Sequence, residues 1–328
     1  MTITVIGGGS WATALIKILT DNNHKIKWWL RNTEAINHIK KHHHNPEYLS
    51  GIELHPSKIK PYHSLKDALK GKEWVVLAIP AAFVESALAE LSPENFKGKK
   101  VVSGVKGIVP GKNLLVTDWL SAQFQIDKKN LAAIAGPCHA EEIALEKQSY
   151  LTIASEGIDT AQAFAAMMAN RYVKTSPSTD IDGVEYAAVM KNIVALACGI
   201  THGLGAGDNF QAVMVSNAML EIERFVDKIS PFQRQINASA YLGDLLVTAY
   251  SQFSRNRTFG NMIGRGYSVS TAQMEMKMIA EGYFATKSIQ EINKNLGVNM
   301  PILDFSYQIL YKKAPLLKAF ESLKDKLI

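Results

Sequence analysis

The apolar positions of this chain change period once. Over the first 178 residues, short apolar runs alternate with stretches in which apolar side chains recur every three or four positions. The runs lie at 2–6, 25–30, 74–80, 100–103, 131–135, 150–154 and 172–174, and helical patterns lie at 14–19, 83–91 and 158–168. Buried strands alternating with helices predict an α/β domain built on a doubly wound, mainly parallel sheet. After Ser178 the strand signals largely stop, and helical patterns take over at 209–225, 285–296 and 301–310. Two domains are expected, 1–178 and 179–328, the second all-α.

One helical stretch breaks its own pattern. Residues 187–198 are apolar on every face, the mark of a helix buried all round. Ser178-Thr179-Asp180 offers a capping-type start and Gly199 an end. The apolar part, about a dozen residues, is short of the ~20 that span a bilayer, so a core helix is expected. Yet Lys191 and Asn192 stand in its middle. An ammonium is costly to bury unless it is paired. Either Lys191 runs its stem out to solvent, or it is a cation set at an internal cleft to meet an anion or a polarised oxygen. Asp244, at the edge of the apolar stretch 243–248, is a natural partner for it.

Composition changes this picture little. With 328 residues, 47% hydrophobic and 20% charged, the chain has room for two ordinary globular cores. The opening MTITVIGGGS lacks the pattern of a secretory leader. Two cysteines, Cys138 and Cys198, cannot make a disulfide framework, so a cytoplasmic protein that is not integral to a membrane is expected. The net charge of +6 is scattered rather than clustered. That argues against a nucleic-acid partner and for a mild field favouring small anions.

The chemistry-bearing residues follow the strands. Residues 2–6 run into Gly7-Gly8-Gly9-Ser10-Trp11-Ala12 and then a helical pattern, the strand–turn–helix context of a dinucleotide site. Gly7 permits the tight turn, Gly9 lets backbone approach a pyrophosphate, and Ala12 is small enough for close helix–strand packing. The sheet domain is thus Rossmann-like. The second strand ends in Arg31-Asn32, where an NAD-selective site carries an acid and an arginine suits a 2′-phosphate. NADPH, or tolerance of NADPH and NADH, is expected. His42-His43-His44 reads as a solvated loop, since adjacent histidines do not converge on one ion, and no metal is expected. Lys106, between Gly104 and Gly107, follows the strand 100–103, where open α/β sheets bind ligands; a solvated loop lysine fits equally. Gly136-Pro137-Cys138-His139-Ala140 occupies the same place after 131–135. Ser254-Arg255-Asn256-Arg257 offers a hydroxyl, an amide and two guanidiniums, a phosphate cradle or a surface turn with structural ion pairs.

Assembled, these pieces closely resemble the NAD(P)-dependent glycerol-3-phosphate dehydrogenases of the bacterial type. The blocks are IGGGSWATAL, NPEYLSGI, VVLAIP, VKGI, AGPCHAEEIA, MKNIVALACGI, GLGAGDN, YLGDLLVT, SRNRTFG and AEGYFATKSI, in family order over nearly the whole chain. The resemblance implies that Ser10, Trp11, Arg31, Lys106, Ala140, Arg255, Ile279 and Glu281 lie at the cofactor, with Gly7 and Gly9. It places Lys106, Gly136, Cys138, Asp244, Ser254, Arg255 and Asn256 around a small phosphorylated three-carbon substrate, with Asn192 and Thr248 as supporting donors. It makes Lys191 the acid/base, assisted by Asp244, in reversible reduction of dihydroxyacetone phosphate for phospholipid synthesis. A homodimer is compatible with it. Three departures from the family stand out: Ala12 for glycine, Cys138-His139 for Ser/Thr-Phe, and Met214-Val215-Ser216-Asn217 where many relatives carry a Thr-Arg pair. Two rival readings are a related dehydrogenase for another hydroxy acid and a non-catalytic NAD(P)-binding sensor. The first need not keep Ser-Arg-Asn-Arg; the second is expected to lose Lys191 or Asp244.

Overall fold

A computed structural model describes residues 1–71, 74–276 and 280–328. The chain folds into two compact units, Met1–Val105 with Val116–Ile181, and Lys106–Leu115 with Asp182–Ile328.

The first unit contains strands β1 (Thr2–Ile6), β2 (Lys25–Trp29), β3 (Ile59–Tyr62), β4 (Trp74–Leu77) and β5 (Lys100–Ser103). Further strands β8 (Leu131–Ala135), β9 (Ser149–Ala154) and β10 (Val173–Ser178) complete its sheet, while the short β6 (Ile108–Val109) and β7 (Leu114–Leu115) belong to the second unit. Helices of the first unit are α1 (Ser10–Asp21), α2 (Thr33–His42), α3 (Leu65–Ala68), α4 (Val84–Leu88), α5 (Val116–Phe124), α6 (Ala140–Ala144) and α7 (Ile158–Met168).

Its eight strands are ordered β10-β9-β8-β5-β4-β1-β2-β3. Every pair is parallel except β8 with β9. Ile3 sits between Ile26 of β2 and Trp74 of β4, so the most apolar strands are central. The chain winds outward from β1 to β3 on one side and from β4 onward on the other. The switch point therefore lies between β1 and β4, where ligands of open sheets bind at the carboxyl ends. Trp28, Phe164 and the inner face of α1 fill the core.

Several elements escape the sequence pattern, β3 and α2 among them. β3 carries Pro61 on an edge strand, which suits its position but hides its signal. α2 is only modestly apolar and owes its start to Asn32, whose side chain accepts the Glu34 N–H at 2.9 Å. The pattern at 83–91 resolves into a 3₁₀ turn, Ala81–Phe83, followed by the shorter α4.

The second unit holds the β6–β7 hairpin and helices α8 (Ile181–Gly203), α9 (Gly207–Ile229), α10 (Asp244–Tyr250), α11 (Arg255–Gly264), α12 (Val269–Glu275), α13 (Glu281–Leu296), α14 (Pro301–Lys312) and α15 (Leu316–Lys324). The hairpin crosses the boundary read at residue 178 because it pairs only with itself, and because Lys106, just before it, is bonded into the helical unit.

α8 runs 23 residues and does not stop at Gly199. It is long and apolar enough to cross a membrane, but protein covers its apolar window completely. Gly199 is a packing position rather than a terminator. A Cβ there would lie 2.9 Å from the Asn261 nitrogen of α11, and one at Gly203 would lie 2.9 Å from Gly264 Cα. Reciprocally, Cβ atoms at Gly260 and Gly264 would strike the backbone of Leu196 and Ile200. Two Gly-x-x-x-Gly faces thus let α8 and α11 meet backbone to backbone.

Candidate active site

Lys191 does not reach solvent. It is 4% exposed at the middle of α8, and its ammonium donates to Asp244 Oδ1. Asp244, 1% exposed, opens α10 directly after a π-helical turn, Ser239–Gly243. Such wide turns re-aim the residues that follow them. The other oxygen, Asp244 Oδ2, lies 3.6 Å from the Lys106 ammonium. One buried carboxylate is shared by two lysines.

A chain of amides fixes this cluster. Asn192 Nδ2 donates to the Lys106 carbonyl at 2.8 Å, and Asn192 Oδ1 accepts from Asn256 Nδ2 at 3.0 Å. Asn256 Oδ1 in turn accepts the Gly282 N–H at 2.8 Å. Both polar ends of Asn192 are therefore engaged, and among the described residues Asn256 uses one of its two amide hydrogens. Each residue acts first by holding its neighbours. Thr248 donates its hydroxyl to the Asp244 carbonyl one turn back, at 2.6 Å, which steadies the start of α10. Ser254 caps α11, its buried oxygen accepting the Arg257 N–H at 3.3 Å. Arg255 follows at the exposed first position of that helix. Glu281 stands in the first turn of α13. Ile279 lies outside the described residues.

The remaining expected site residues are in the sheet unit. Gly7, with φ +136°, leaves β1 where a Cβ would lie 2.8 Å from the Ala78 carbonyl carbon, so only glycine fits. Gly9 is the N-cap of α1, makes no side-chain cap bond, and among the described residues has nothing within 4 Å of where a Cβ would be. A twelve-residue helix whose N-cap is a glycine, with no side chain to occupy its first N–H groups, fits a dinucleotide's pyrophosphate. Trp11 packs its indole against Gly104, leaving no room for a side chain there. Arg31 is exposed immediately after β2. Gly136 leaves β8 with φ +114°, Cys138 Sγ donates to the Gly136 carbonyl at 3.0 Å, and Ala140 begins α6.

The departures from the family also have local partners. Ala12 is fully buried. Asn217 holds the Ile328 backbone at both ends, donating to its carbonyl at 2.7 Å and accepting its N–H at 3.0 Å. The residues that sequence reasoning missed are the anchors behind the glycine turn, Trp28 and Asn45, and the Gly282 N–H. None stands in a motif whose chemistry is visible without the fold.

A parallel sheet with a glycine turn at its switch point, and a helical unit with a buried, carboxylate-paired lysine, define an NAD(P)-dependent oxidoreductase. Residues 2–161 match the NAD-dependent glycerol-3-phosphate dehydrogenase N-terminus, and residues 180–321 match the C-terminus of the same family. The chain belongs to the glycerol-3-phosphate dehydrogenase family. The glycerol-3-phosphate dehydrogenase [NAD(P)+] of Bacillus velezensis is 34% identical over 322 residues, 98% of this chain and 93% of that protein. Its counterpart in Bacillus cytotoxicus is 36% identical over 317 residues, 94% of this chain and 91% of that one. The crystal structure of glycerol-3-phosphate dehydrogenase from Coxiella burnetii matches with a TM-score of 0.92 at 25% identity, covering 99% of both chains.

Proposed function

We propose that this chain reduces dihydroxyacetone phosphate reversibly to sn-glycerol 3-phosphate, with Lys191 as the proton donor in that direction. The observation that carries the reading is the Lys191–Asp244–Lys106 cluster and its amide connection to the first turn of α11. The sheet unit serves the dinucleotide and the helical unit the substrate. A bound reduced nicotinamide supplies the hydride to C2. As negative charge grows on the C2 oxygen, the Lys191 ammonium stabilises it and gives up a proton, with Asp244 orienting the ammonium. The two ammonium groups at this carboxylate favour an anionic phosphate ester over a neutral sugar. Arg255 holds the phosphate through its planar fork, and Ser254 and Asn256 assist. Remote phosphate binding then orients the carbonyl. Arg31, standing where NAD-selective sites carry an acid, supports use of NADPH at least as well as NADH. The product supplies the glycerol phosphate backbone of phospholipids, and buried free thiols suit a reducing cytoplasm.

The test compares two proteins and two substrates, with NADH and NADPH each in turn. Dihydroxyacetone, lacking the phosphate, is expected to be a very poor substrate. Arg255→Lys is expected to lose at least about tenfold in kcat/KM on dihydroxyacetone phosphate, some 1.4 kcal/mol, and little on dihydroxyacetone. Equal fractional losses on both substrates move the phosphate assignment away from Arg255.

A further inference from the structure

The three carbonyls of the glycine turn after β1 are all held from the protein side. The Gly7 carbonyl accepts the indole N–H of Trp28 at 2.6 Å. The Gly8 carbonyl accepts Asn45 Nδ2 at 3.0 Å. The Gly9 carbonyl accepts both the N–H of Thr13, at 3.0 Å, and its hydroxyl, at 3.1 Å. In a planar trans peptide the N–H of the next residue points opposite to the carbonyl. Anchoring these three carbonyls therefore turns the N–H groups of Gly8, Gly9 and Ser10 the other way. None of those three N–H groups donates a hydrogen bond among the described residues.

Asn45 governs two of the three anchors. It is 2% exposed, although it lies in the loop after α2, far from the turn in sequence. Its second Nδ2 hydrogen goes to Thr13 Oγ1 at 2.8 Å, which leaves the Thr13 proton to point at Gly9. Its Oδ1 accepts the Glu47 and Tyr48 N–H groups at 3.0 and 3.2 Å, folding its own loop into a turn. All four hydrogen-bonding positions of the amide are filled. The two ends of the side chain do separate work: the oxygen shapes the 45–48 turn, and the nitrogen aims the glycine turn.

We propose that Asn45 is a positioning residue for the dinucleotide's pyrophosphate, holding the N–H groups of Gly9 and Ser10 in the orientation that an anion needs. This rests on the reading of the sheet unit as the cofactor unit. The position calls for an amide specifically. A carboxylate in the same place would keep the two acceptor bonds and present a second acceptor to the Gly8 carbonyl.

Asn45→Asp is accordingly the first test, and Thr13→Val, which keeps volume and removes the hydroxyl, is the second. Each full-length variant is titrated with NADPH by fluorescence, and with adenosine or adenosine 2′-phosphate, which lack the pyrophosphate. The expected result is a Kd for NADPH raised about tenfold or more, with the pyrophosphate-free ligands and the KM for dihydroxyacetone phosphate changed less than about twofold. Equal weakening of all ligands, or unchanged NADPH binding, overturns the proposal. If Asn45→Asp unfolds too readily to titrate, as its thermal midpoint will show, Thr13→Val alone decides by the same criteria. Failure of the parent reading looks different: the unmodified protein would bind no NADPH, and both ideas would fall.

Discussion

Lys191 concentrates the chemistry, and its neighbours determine what removing it does. Deleting one partner of a buried ion pair is usually damaging, because the other charge is left uncompensated. Here Asp244 keeps Lys106 at 3.6 Å. Lys191→Met is therefore expected to fold and to bind NADPH normally while kcat falls by roughly 10² to 10⁴. Steady-state kinetics alongside a cofactor titration separate the two effects, and near-normal turnover would remove Lys191 from the mechanism. Residue by residue, the lysine, the aspartate and the glycines were legible in the chain, because each contradicts its surroundings. The duty of Asn192 and Asn256 was not. An asparagine reads alike whether its amide faces a ligand or another asparagine, and only the fold brings residues 106, 192, 256 and 282 into one hydrogen-bonded line.

At the level of elements, the contact between α8 and α11 sets where that line begins. Glycine to alanine in a helix interior ordinarily stabilises, by about 1 kcal/mol. Gly260→Ala is expected to do the opposite, costing about 1–3 kcal/mol or more, since its methyl group would strike the backbone of α8. It should also lower kcat/KM, because Ser254, Arg255 and Asn256 ride on the first turn of the displaced helix. Denaturant unfolding and steady-state assays check both halves; a stabilised, fully active Gly260→Ala would show that the two helices do not touch there. Periodicity found α8 but misplaced its end. A lone glycine at 199 looks like a terminator until the matching glycines at 260 and 264 are seen to face it.

For the molecule as a whole, a group outside the candidate site imposes a pH dependence. Glu221 of α9 is buried, and its two oxygens accept the Ile302 and Leu303 N–H groups at 2.9 Å each, at the start of α14. Burial pushes its carboxyl up to about 8, from an ordinary 4.5, outweighing the opposing pull of those two donors. The folded protein then keeps a proton that the unfolded chain releases above its ordinary value. Stability is expected to fall as pH rises from 4.5 toward about 8, by at most about 1.4 kcal/mol per pH unit for this group, and to level off beyond. Glu221→Gln loses one acceptor at every pH and, having no carboxyl to titrate, lacks this slope. Denaturation midpoints of both proteins at several pH values should therefore converge as pH rises. Midpoints that stay parallel would mean the carboxylate is already charged near neutrality, held by the helix N-terminus.

The linear chain by itself determined the alternation of strands and helices, the glycine turn, the anomalous lysine and the motifs that mark the family. These are signals carried by neighbours in sequence, through side-chain period, backbone freedom and local charge. Tertiary structure decided the rest. It assigned 106–115 to the helical unit, gave Lys191 a carboxylate from 53 residues away, turned Gly199 from an end into a contact, and placed Asn45 behind a glycine turn 37 residues earlier. Each of these depends on which distant groups satisfy a buried charge, a buried amide or a missing side chain. A local pattern shows that such a group must be satisfied; only the packed chain shows by whom.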